Sequence, residues 1–333
     1  MSANNKGMAG LRRRHLLASA GALGLAGPWA WAKAPYPDRP ITMVVPYTAG
    51  GSTDLVARLI TQKMGEGLKQ AFVVDNKAGA NGIIGMEAAL RSKPDGYTLL
   101  MNTAGAQTLA PLIYKTRIDG IEDWMPISLI STIPFALVVK DDLPAKNFQE
   151  FVQLAKKSDK PLTASSGSSM IVLITEALKS ALGAQHIINA QYKGTALQAQ
   201  AVIKGEVDFT VDSMVMLPQI KAGKVRALAV FGDHRVSSLP DVPTLKELGI
   251  AGMNFSSWSA MLAPKGTPQE IVDLLEKEAR RVVQLPEMQA RLSSMDHVPV
   301  GSTAKELEKT IRDDIARWKQ VVKDTNFKID GAG

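Results

Sequence analysis

The clearest pattern of apolar and polar positions in the chain is an apolar run, a turn of small residues and a helix-forming segment. Residues 43–45 are apolar, and Pro46, which has no N–H to donate, ends the predicted strand. From Leu55 onward, apolar residues recur at a spacing of about 3.6, which predicts an amphipathic helix. Gly50 and Gly51 separate the two elements, so the helix would begin with free N–H groups and the positive end of its dipole. The stretch predicts an anion-binding turn, and an ordinary strand–helix turn is the alternative.

The same order of elements recurs twice further along the chain. A predicted strand at 97–102 is followed by the small polar loop 103–107. Another at 162–164 is followed by the serine-rich loop 165–169 and a helix over 171–182, although a serine-rich helix cap would also explain this loop. Strands that alternate with helices predict a parallel α/β architecture, in which ligands bind at the carboxyl ends of the strands. Further strands are predicted at 71–75, 134–140, 187–192, 207–211, 225–231 and 255–262, and a short helix at 245–248.

The first 32 residues have the pattern of an export signal. Three arginines at 12–14 precede a small apolar stretch at 16–26, and Ala30 and Ala32 suit positions −3 and −1 of a cleavage site. The apolar stretch is short, so a membrane-spanning helix is the weaker interpretation. The order Arg-Arg-x-x-Leu resembles a twin-arginine signal, but His15 stands where that pattern usually has Phe, so a Sec route stays open. We expect cleavage after Ala32 and a periplasmic location.

Charge and composition narrow the class of protein. The chain has 333 residues and a formal net charge of +7, but four of its 39 basic residues and none of its 32 acids lie in the first 32 positions. The mature chain is therefore close to neutral, and no basic run with interleaved aromatics supports nucleic-acid binding. Cysteine is absent, which excludes thiolate metal sites and thiol nucleophiles.

The sequence contains no arrangement that requires catalysis. It has no G-x-S-x-G elbow and no P-loop, and its four histidines are scattered. The glycine-rich turn at 76–85 has the spacing G-x-x-G-x-x-G, which argues against a dinucleotide cofactor. These features are more typical of a binding protein than of an enzyme. A hydrolase that uses a serine of the loop 165–169 is the alternative, and it would need a base beside that loop.

Eight short motifs, in this order and spacing, resemble the Bug/TctC family, the extracytoplasmic solute receptors of tripartite tricarboxylate transporters. The resemblance covers the chain from residue 36 to about residue 324. The motifs are YPDRPI (36–41), VPYTAGGSTD (45–54), PDGYTL (94–99), YKG (192–194), GEVD (205–208), KAGKVRALAV (221–230), LPDVPT (239–244) and APKGTP (263–268).

The resemblance implies an α/β, two-domain periplasmic-binding-protein fold of type II, flytrap-like, with a ligand cleft between the domains. We expect domain I at 36–133 and 229–290, domain II at 134–228, and C-terminal helices at 291–325 that pack across the junction. The implied function is capture of a small carboxylate-bearing solute and its delivery to inner-membrane permease subunits of a tripartite tricarboxylate transporter. Catalysis, cofactors, metals and nucleic acid are not expected, and the receptor would be a monomer. An exported sensory or scaffolding protein is the alternative.

The family's cleft loops correspond to strand-end stretches of this sequence. The predicted ligand-binding residues are Tyr47, Thr48, Ala49, Gly50, Gly51, Asp54, Thr103, Gly105, Gln107, Ser165, Ser166, Gly167, Ser168, Ser169, Tyr192, Lys193 and Asp212. Relatives commonly have a more glycine-rich third loop and a histidine one turn before the helix glutamate, whereas here Val172 stands four residues before Glu176. This departure leaves the identity of the solute open.

The strand-end loops lack basic residues. None of 47–54, 103–107 and 165–169 contains Arg or Lys, and the nearest cation in these motifs is Lys193. We therefore expect main-chain N–H groups, hydroxyls and bridging waters to hold the carboxylate, without an arginine clamp. A side chain at Gly51 would strain the turn and fill the anion's space, and Asp54 would cap its own helix or meet a donor on the ligand.

Overall fold

The computed structural model describes residues 36–325 and Phe327, and the fold reported below is that of the unit that begins at Arg39. The export signal predicted at 1–32 lies outside the described residues. Within the described range, no helix combines the length and the apolar character that a membrane span requires.

The described residues contain ten strands and ten α-helices, which alternate from β1 to β8. The strands are β1 (Ile41–Val45), β2 (Phe72–Asn76), β3 (Thr98–Thr103), β4 (Trp124–Lys140), β5 (Thr163–Ser166), β6 (Ile188–Gln191), β7 (Phe209–Ser213), β8 (Val225–Val230), β9 (Ser256–Pro264) and β10 (Val298–Pro299). The helices are α1 (Ser52–Leu68), α2 (Ile83–Leu90), α3 (Ala110–Ile113), α4 (Phe148–Lys157), α5 (Ser169–Leu182), α6 (Thr195–Ile203), α7 (Leu217–Lys221), α8 (Gln269–Val283), α9 (Pro286–Ser294) and α10 (Ala304–Thr325).

The first sheet has the strand order β2-β1-β3-β9-β4, and β10 pairs with β4. β1 runs parallel to both β2 and β3, as the alternation of strands and helices predicts. β9 runs antiparallel to β3 and to β4 on its other side. The prediction of parallel strands is therefore correct for the first three strands and wrong for β9.

The second sheet contains the last part of β4 together with β7, β5 and β6, and β8 pairs with β4 as well. β5 is parallel to β6 and β7, whereas β7 and β8 are antiparallel to β4. The carboxyl ends of β5 and β7 therefore lie at one edge, where the loop that follows β5 leads into α5.

The 17-residue strand β4 belongs to both sheets. Trp124–Pro134 pairs with β9, and Phe135–Lys140 pairs with β7 or β8, so the partner changes between Pro134 and Phe135. Because β4 pairs in both sheets, hydrogen bonds connect all ten strands. Residues 227–230 lie within β8 of the second sheet, and the chain returns to the first sheet through 231–255. The domain boundaries proposed from the sequence stay a prediction.

Each sheet packs against its own apolar cluster, and α10 contributes side chains to both clusters. Leu307 and Ile311 pack in the cluster that contains Trp258, whereas Trp318 and Val321 pack in the cluster of the second sheet. Trp258 Nε1 donates a hydrogen bond of 2.8 Å to Asp314 Oδ2, which ties α10 to β9. Helix α10 therefore contacts the core of each half.

Two local predictions from the sequence are wrong. Residues 245–249 form turns rather than a helix. The strand predicted at 134–140 begins ten residues earlier, at Trp124, because β4 tolerates Pro126 next to a register shift in its pairing with β9.

Candidate functional site

Two small cavities adjoin one another at the junction of the two sheets, with volumes of about 220 and 190 Å³. Ser168, Met170 and Ser257 line both of them. The larger, hereafter the first cavity, is bounded by residues that follow β1 and β3 and by the start of α5. The smaller, hereafter the second cavity, is bounded by β4, the start of α6 and the end of β7. Together they form the cleft.

Tyr47 and Thr103, at the carboxyl ends of β1 and β3 in the first sheet, line the first cavity. Each follows or ends a parallel strand, and their hydroxyl oxygens lie 2.5 Å apart in a hydrogen bond. Burial raises the pKa of the Tyr47 hydroxyl, which the hydrogen bond with Thr103 partly opposes. The Tyr47 side chain is therefore a neutral hydrogen-bonding group at neutral pH.

The turn after Tyr47 begins α1 without a side-chain cap. Thr48, Ala49 and Gly50 are exposed, and the N-cap Gly51 offers no side-chain acceptor to the first N–H groups of the helix. These groups remain available to a ligand or to water.

The glycine that requires a special backbone conformation is Gly50, with φ of +80°. Gly51 has φ of −72°, and a Cβ there would lie 3.3 Å from the Thr48 carbonyl oxygen. A side chain at Gly51 would therefore crowd the Thr48 carbonyl oxygen of the turn, whereas the left-handed conformation that favours glycine is that of its neighbour Gly50.

Asp54 lies inside the first turn of α1, with 2% of its surface exposed. Its Oδ2 accepts hydrogen bonds from Gly50 N–H at 2.8 Å and Arg58 Nε at 3.0 Å, and its Oδ1 accepts one from Asn76 Nδ2 at 3.0 Å. Burial acts to raise the pKa of this carboxyl, but the three hydrogen bonds hold it below its ordinary value. Asp54 stabilises the turn from within.

A π-helical turn follows Thr103 and spans Gly105–Leu109. Gly105 lines the first cavity, whereas Gln107 is fully buried. Gln107 accepts a hydrogen bond from Asn102 Nδ2 at 2.6 Å and donates one to the Gly120 carbonyl at 2.5 Å. The structure thus places its side chain in the interior beneath the cleft.

The serine-rich loop divides between interior and cleft. Ser165 Oγ donates to the Gln198 carbonyl at 3.0 Å, and Ser166 Oγ donates to Asn189 Oδ1 at 2.7 Å, both from buried positions. Ser168 and Ser169 line the first cavity, and Ser168 Oγ also accepts from Ile171 N–H at the start of α5. The helix-cap interpretation and the cleft interpretation therefore both apply to Ser168.

Gln198 connects the serine-rich loop 165–169 to Asp212, whose side chain lines the second cavity. Its Oε1 accepts from Gly167 N–H at 2.5 Å, and its Nε2 donates to Asp212 Oδ2 and to the Val211 carbonyl, both at 2.9 Å. A Cβ on Gly167 would lie 2.5 Å from the Gly194 carbonyl oxygen, so the two loops are in close contact.

Tyr192 and Lys193 lie outside the residues that line the two cavities. Tyr192 is half-buried against the apolar cluster around β8, and Lys193 is exposed. The structure therefore brings no cation from this loop into the cleft.

His297 joins the start of α1 to β4. Its Nε2 lies 2.9 Å from Ser52 Oγ and its Nδ1 lies 2.8 Å from Ser131 Oγ, and the side chain is 2% exposed. Burial lowers the pKa of His297 to about 4. An imidazole with so low a pKa is a weak base, and its partners are hydroxyls rather than a carboxylate.

Sequence reasoning missed several cleft residues for identifiable reasons. Ser257 reaches the cleft from the amino end of β9, because that strand is antiparallel to β3. Asn81, Thr195 and Gln198 are neutral polar residues without a motif. Of the seventeen predicted residues, six line the two cavities, namely Tyr47, Thr103, Gly105, Ser168, Ser169 and Asp212.

Larger grooves exist away from this edge. One of them, about 890 Å³, is lined by Pro94, Arg117 and Pro264, at the opposite end of β3 from Thr103. Its position at the amino end of a parallel strand makes it a poorer ligand site than the cleft. Across residues 36–325 there is no cluster of three or more side chains suited to binding a metal ion.

Two sheets that share a strand and are flanked by helices, with a small cleft at their junction that no described cation lines, define a two-domain periplasmic binding protein of the flytrap type. The family model described as "Tripartite tricarboxylate transporter family receptor" matches residues 56–327, and the chain belongs to this family.

Similar proteins agree with this assignment. Protein BugT of Bordetella pertussis is 33% identical over 299 residues, which cover 88% of this chain and 91% of BugT. The structure of the periplasmic binding protein BugD is 33% identical, with a TM-score of 0.71 over 88% of this chain and 99% of that one. The structure of Rpa4515 of R. palustris with adipate is 32% identical, with a TM-score of 0.74 over 87% of this chain and 98% of that one.

Proposed function

We propose that this chain is a periplasmic receptor that captures a small carboxylate-bearing solute and delivers it to a tripartite tricarboxylate-type membrane transporter, without catalysing a reaction. The observation that carries the proposal is a cleft between the two sheets that is lined by hydroxyl groups and by no described cation. The described residues that line its two cavities include no Lys, Arg or His. The similarity to a protein described with adipate supports a carboxylate as the ligand.

A carboxylate can be held in such a cleft by neutral donors. Ser169, Ser257 and one member of the hydrogen-bonded pair Tyr47–Thr103 can each donate one hydrogen bond, because the other member of the pair donates to its partner. The free N–H groups of the first turn of α1 belong to residues outside both cavity linings, so they are not counted among these donors. Bridging waters can complete the set at little cost in free energy. This mode of binding needs no arginine clamp.

The contacts of the third loop argue against a serine hydrolase. A nucleophilic serine needs a base within hydrogen-bond reach. Ser165, Ser166 and Ser168 instead contact a main-chain carbonyl, an asparagine amide and a main-chain N–H. His297, the histidine that does contact a serine, is held between Ser52 and Ser131.

A thermal-shift screen followed by calorimetry tests the binding proposal. Adipate and shorter or longer carboxylates should raise the melting temperature, because they bind the native state alone, whereas the matching diamides should not. Ser257→Leu fills both cavities and should abolish the shift. Ser256→Leu, one position along β9 and outside both cavity linings, is the matched control and should keep it. A shift that survives Ser257→Leu would refute the cleft as the site.

Transport is tested separately from binding. Cells that lack this chain should lose uptake of the solute identified by calorimetry, and Ser257→Leu should fail to restore it. If binding is intact but uptake does not depend on the chain, the sensory alternative replaces transport. Mass spectrometry of the periplasmic fraction checks both the location and the cleavage after Ala32.

A further inference from the structure

The second cavity contains a buried carboxylate with an unused acceptor. Asp212 lines this cavity, and 2% of its surface is exposed. Its Oδ2 accepts the hydrogen bond from Gln198 Nε2 at 2.9 Å, whereas Oδ1 has no hydrogen-bond partner among the described residues. A buried acceptor without a donor is destabilising, so this oxygen favours an incoming N–H or O–H.

No described cation compensates this carboxylate. Around it, β4 contributes Ile133 and Phe135, α6 contributes Thr195 and Gln198, and the remaining lining of the cavity is likewise uncharged. Asp212 is the sole titratable side chain among the described residues that line the cavity. Burial raises the pKa of Asp212 to about 7, against the opposing effects of the neighbouring Ser213 hydroxyl and of the hydrogen bond from Gln198. The carboxyl is therefore ready to ionise when a cation arrives.

From this geometry we infer that the solute carries a primary ammonium group at the end opposite its carboxylate, and that this group donates a hydrogen bond to Asp212 Oδ1 in the second cavity. The inference rests on the proposed function, in which the first cavity holds the carboxylate. The two cavities share Ser168, Met170 and Ser257, so one linear molecule can occupy both. The solute class is then an amino acid whose two charged groups are separated by a short carbon chain.

A matched series of six-carbon ligands tests this inference by calorimetry. 6-Aminohexanoate, adipate and hexanoate have the same chain and carboxylate, and they differ only in the far group, which is ammonium, carboxylate or methyl. At pH 8 we expect 6-aminohexanoate to bind at least tenfold more tightly than either of the others. Between pH 6 and pH 8 its affinity should rise, because Asp212 ionises over this range.

Asp212→Asn removes the charge and should abolish the preference for 6-aminohexanoate over hexanoate. Asp208→Asn is the matched control, because Asp208 lies before the other end of β7, where it contacts Thr163 and Lys140, and it should keep the preference.

The possible outcomes separate the two proposals. Adipate that binds more tightly than 6-aminohexanoate, with an affinity that falls as the pH rises, would overturn the inference and indicate a protonated Asp212 that donates to a second carboxylate. A preference for the amine that persists in Asp212→Asn would overturn it as well. If none of the three ligands binds, while other carboxylates do, the linear amino-acid class is wrong and the receptor proposal stands. If no carboxylate binds at all, the proposed function itself fails.

Discussion

Replacing His297 by glutamine should remove a pH dependence of stability that the structure assigns to this one side chain. His297 lies buried between Ser52 and Ser131, where burial lowers its pKa from 6.5 to about 4. In the unfolded chain the imidazole becomes protonated below pH 6.5, whereas in the folded chain it stays neutral down to about pH 4. The unfolded state therefore binds more protons over this window, and the stability that the neutral His297 retains above pH 6.5 is lost as the pH falls.

The magnitude follows from the shift of about 2.5 pKa units between the two states, at 1.36 kcal/mol for each unit. The full loss at and below pH 4 is about 3 kcal/mol, and at pH 5 it is about 2 kcal/mol relative to pH 8. Glutamine does not titrate, so His297→Gln should differ from the wild type by an amount that shrinks by about 2 kcal/mol between pH 8 and pH 5.

Urea unfolding of both proteins at half-unit pH steps measures this difference. Asp212 has a raised pKa and pulls the pH dependence in the opposite direction, but it is present in both proteins, so its contribution cancels. A difference in unfolding free energy that stays constant from pH 8 to pH 5 would refute the reasoning.

Three further predictions concern stability and can be checked by urea unfolding. Gly50→Ala should cost about 1–2 kcal/mol, because its φ is +80° and nothing lies within 4 Å of the new Cβ, and Gly50→Asn should cost less because asparagine tolerates this conformation. Gln198→Leu leaves three hydrogen-bonding groups without their partner and should cost about 2–4 kcal/mol. The control is Gln200→Leu on the exposed face of α6, and equal stability of the two variants would contradict the prediction. Asp314→Leu leaves the buried indole N–H of β9 unpaired and should cost about 1–3 kcal/mol, against less than about 0.5 kcal/mol for the exposed neighbour Asp313→Leu.

The sequence predicts the α/β class well because its strands and turns have strong local signals. Apolar runs that end in small polar loops correctly predict the positions of β1, β3 and β5 to within one or two residues. The rule that ligands bind at the carboxyl ends of parallel strands then brings Tyr47, Thr103 and Ser168 to one edge, where the structure has its cleft.

The sequence does not reveal the direction in which each strand runs in its sheet, or which side chains face the cleft. The antiparallel course of β9 depends on pairing with strands far away in the chain, so Ser257 has no local signal as a cleft residue. Hydroxyls that face inward and outward have the same composition, so Ser165 and Ser166 could not be told from Ser168 and Ser169. Gln198 belongs to no sequence motif, because its role depends on its hydrogen bonds to Gly167 and Asp212, which only the folded structure brings within reach.

The position of β9 between β3 and β4 has a consequence for the order in which the molecule can fold. Residues 124–230 contain every strand of the second sheet in one continuous stretch, whereas the first sheet needs 256–264 to join strands made much earlier. Such long-range pairing forms slowly, since a large loop must close before any contact rewards it. During refolding, pulsed hydrogen exchange should therefore protect β5 and β7 before β3, and a chain that ends before Ser256 should aggregate through the two strand edges that β9 would have covered.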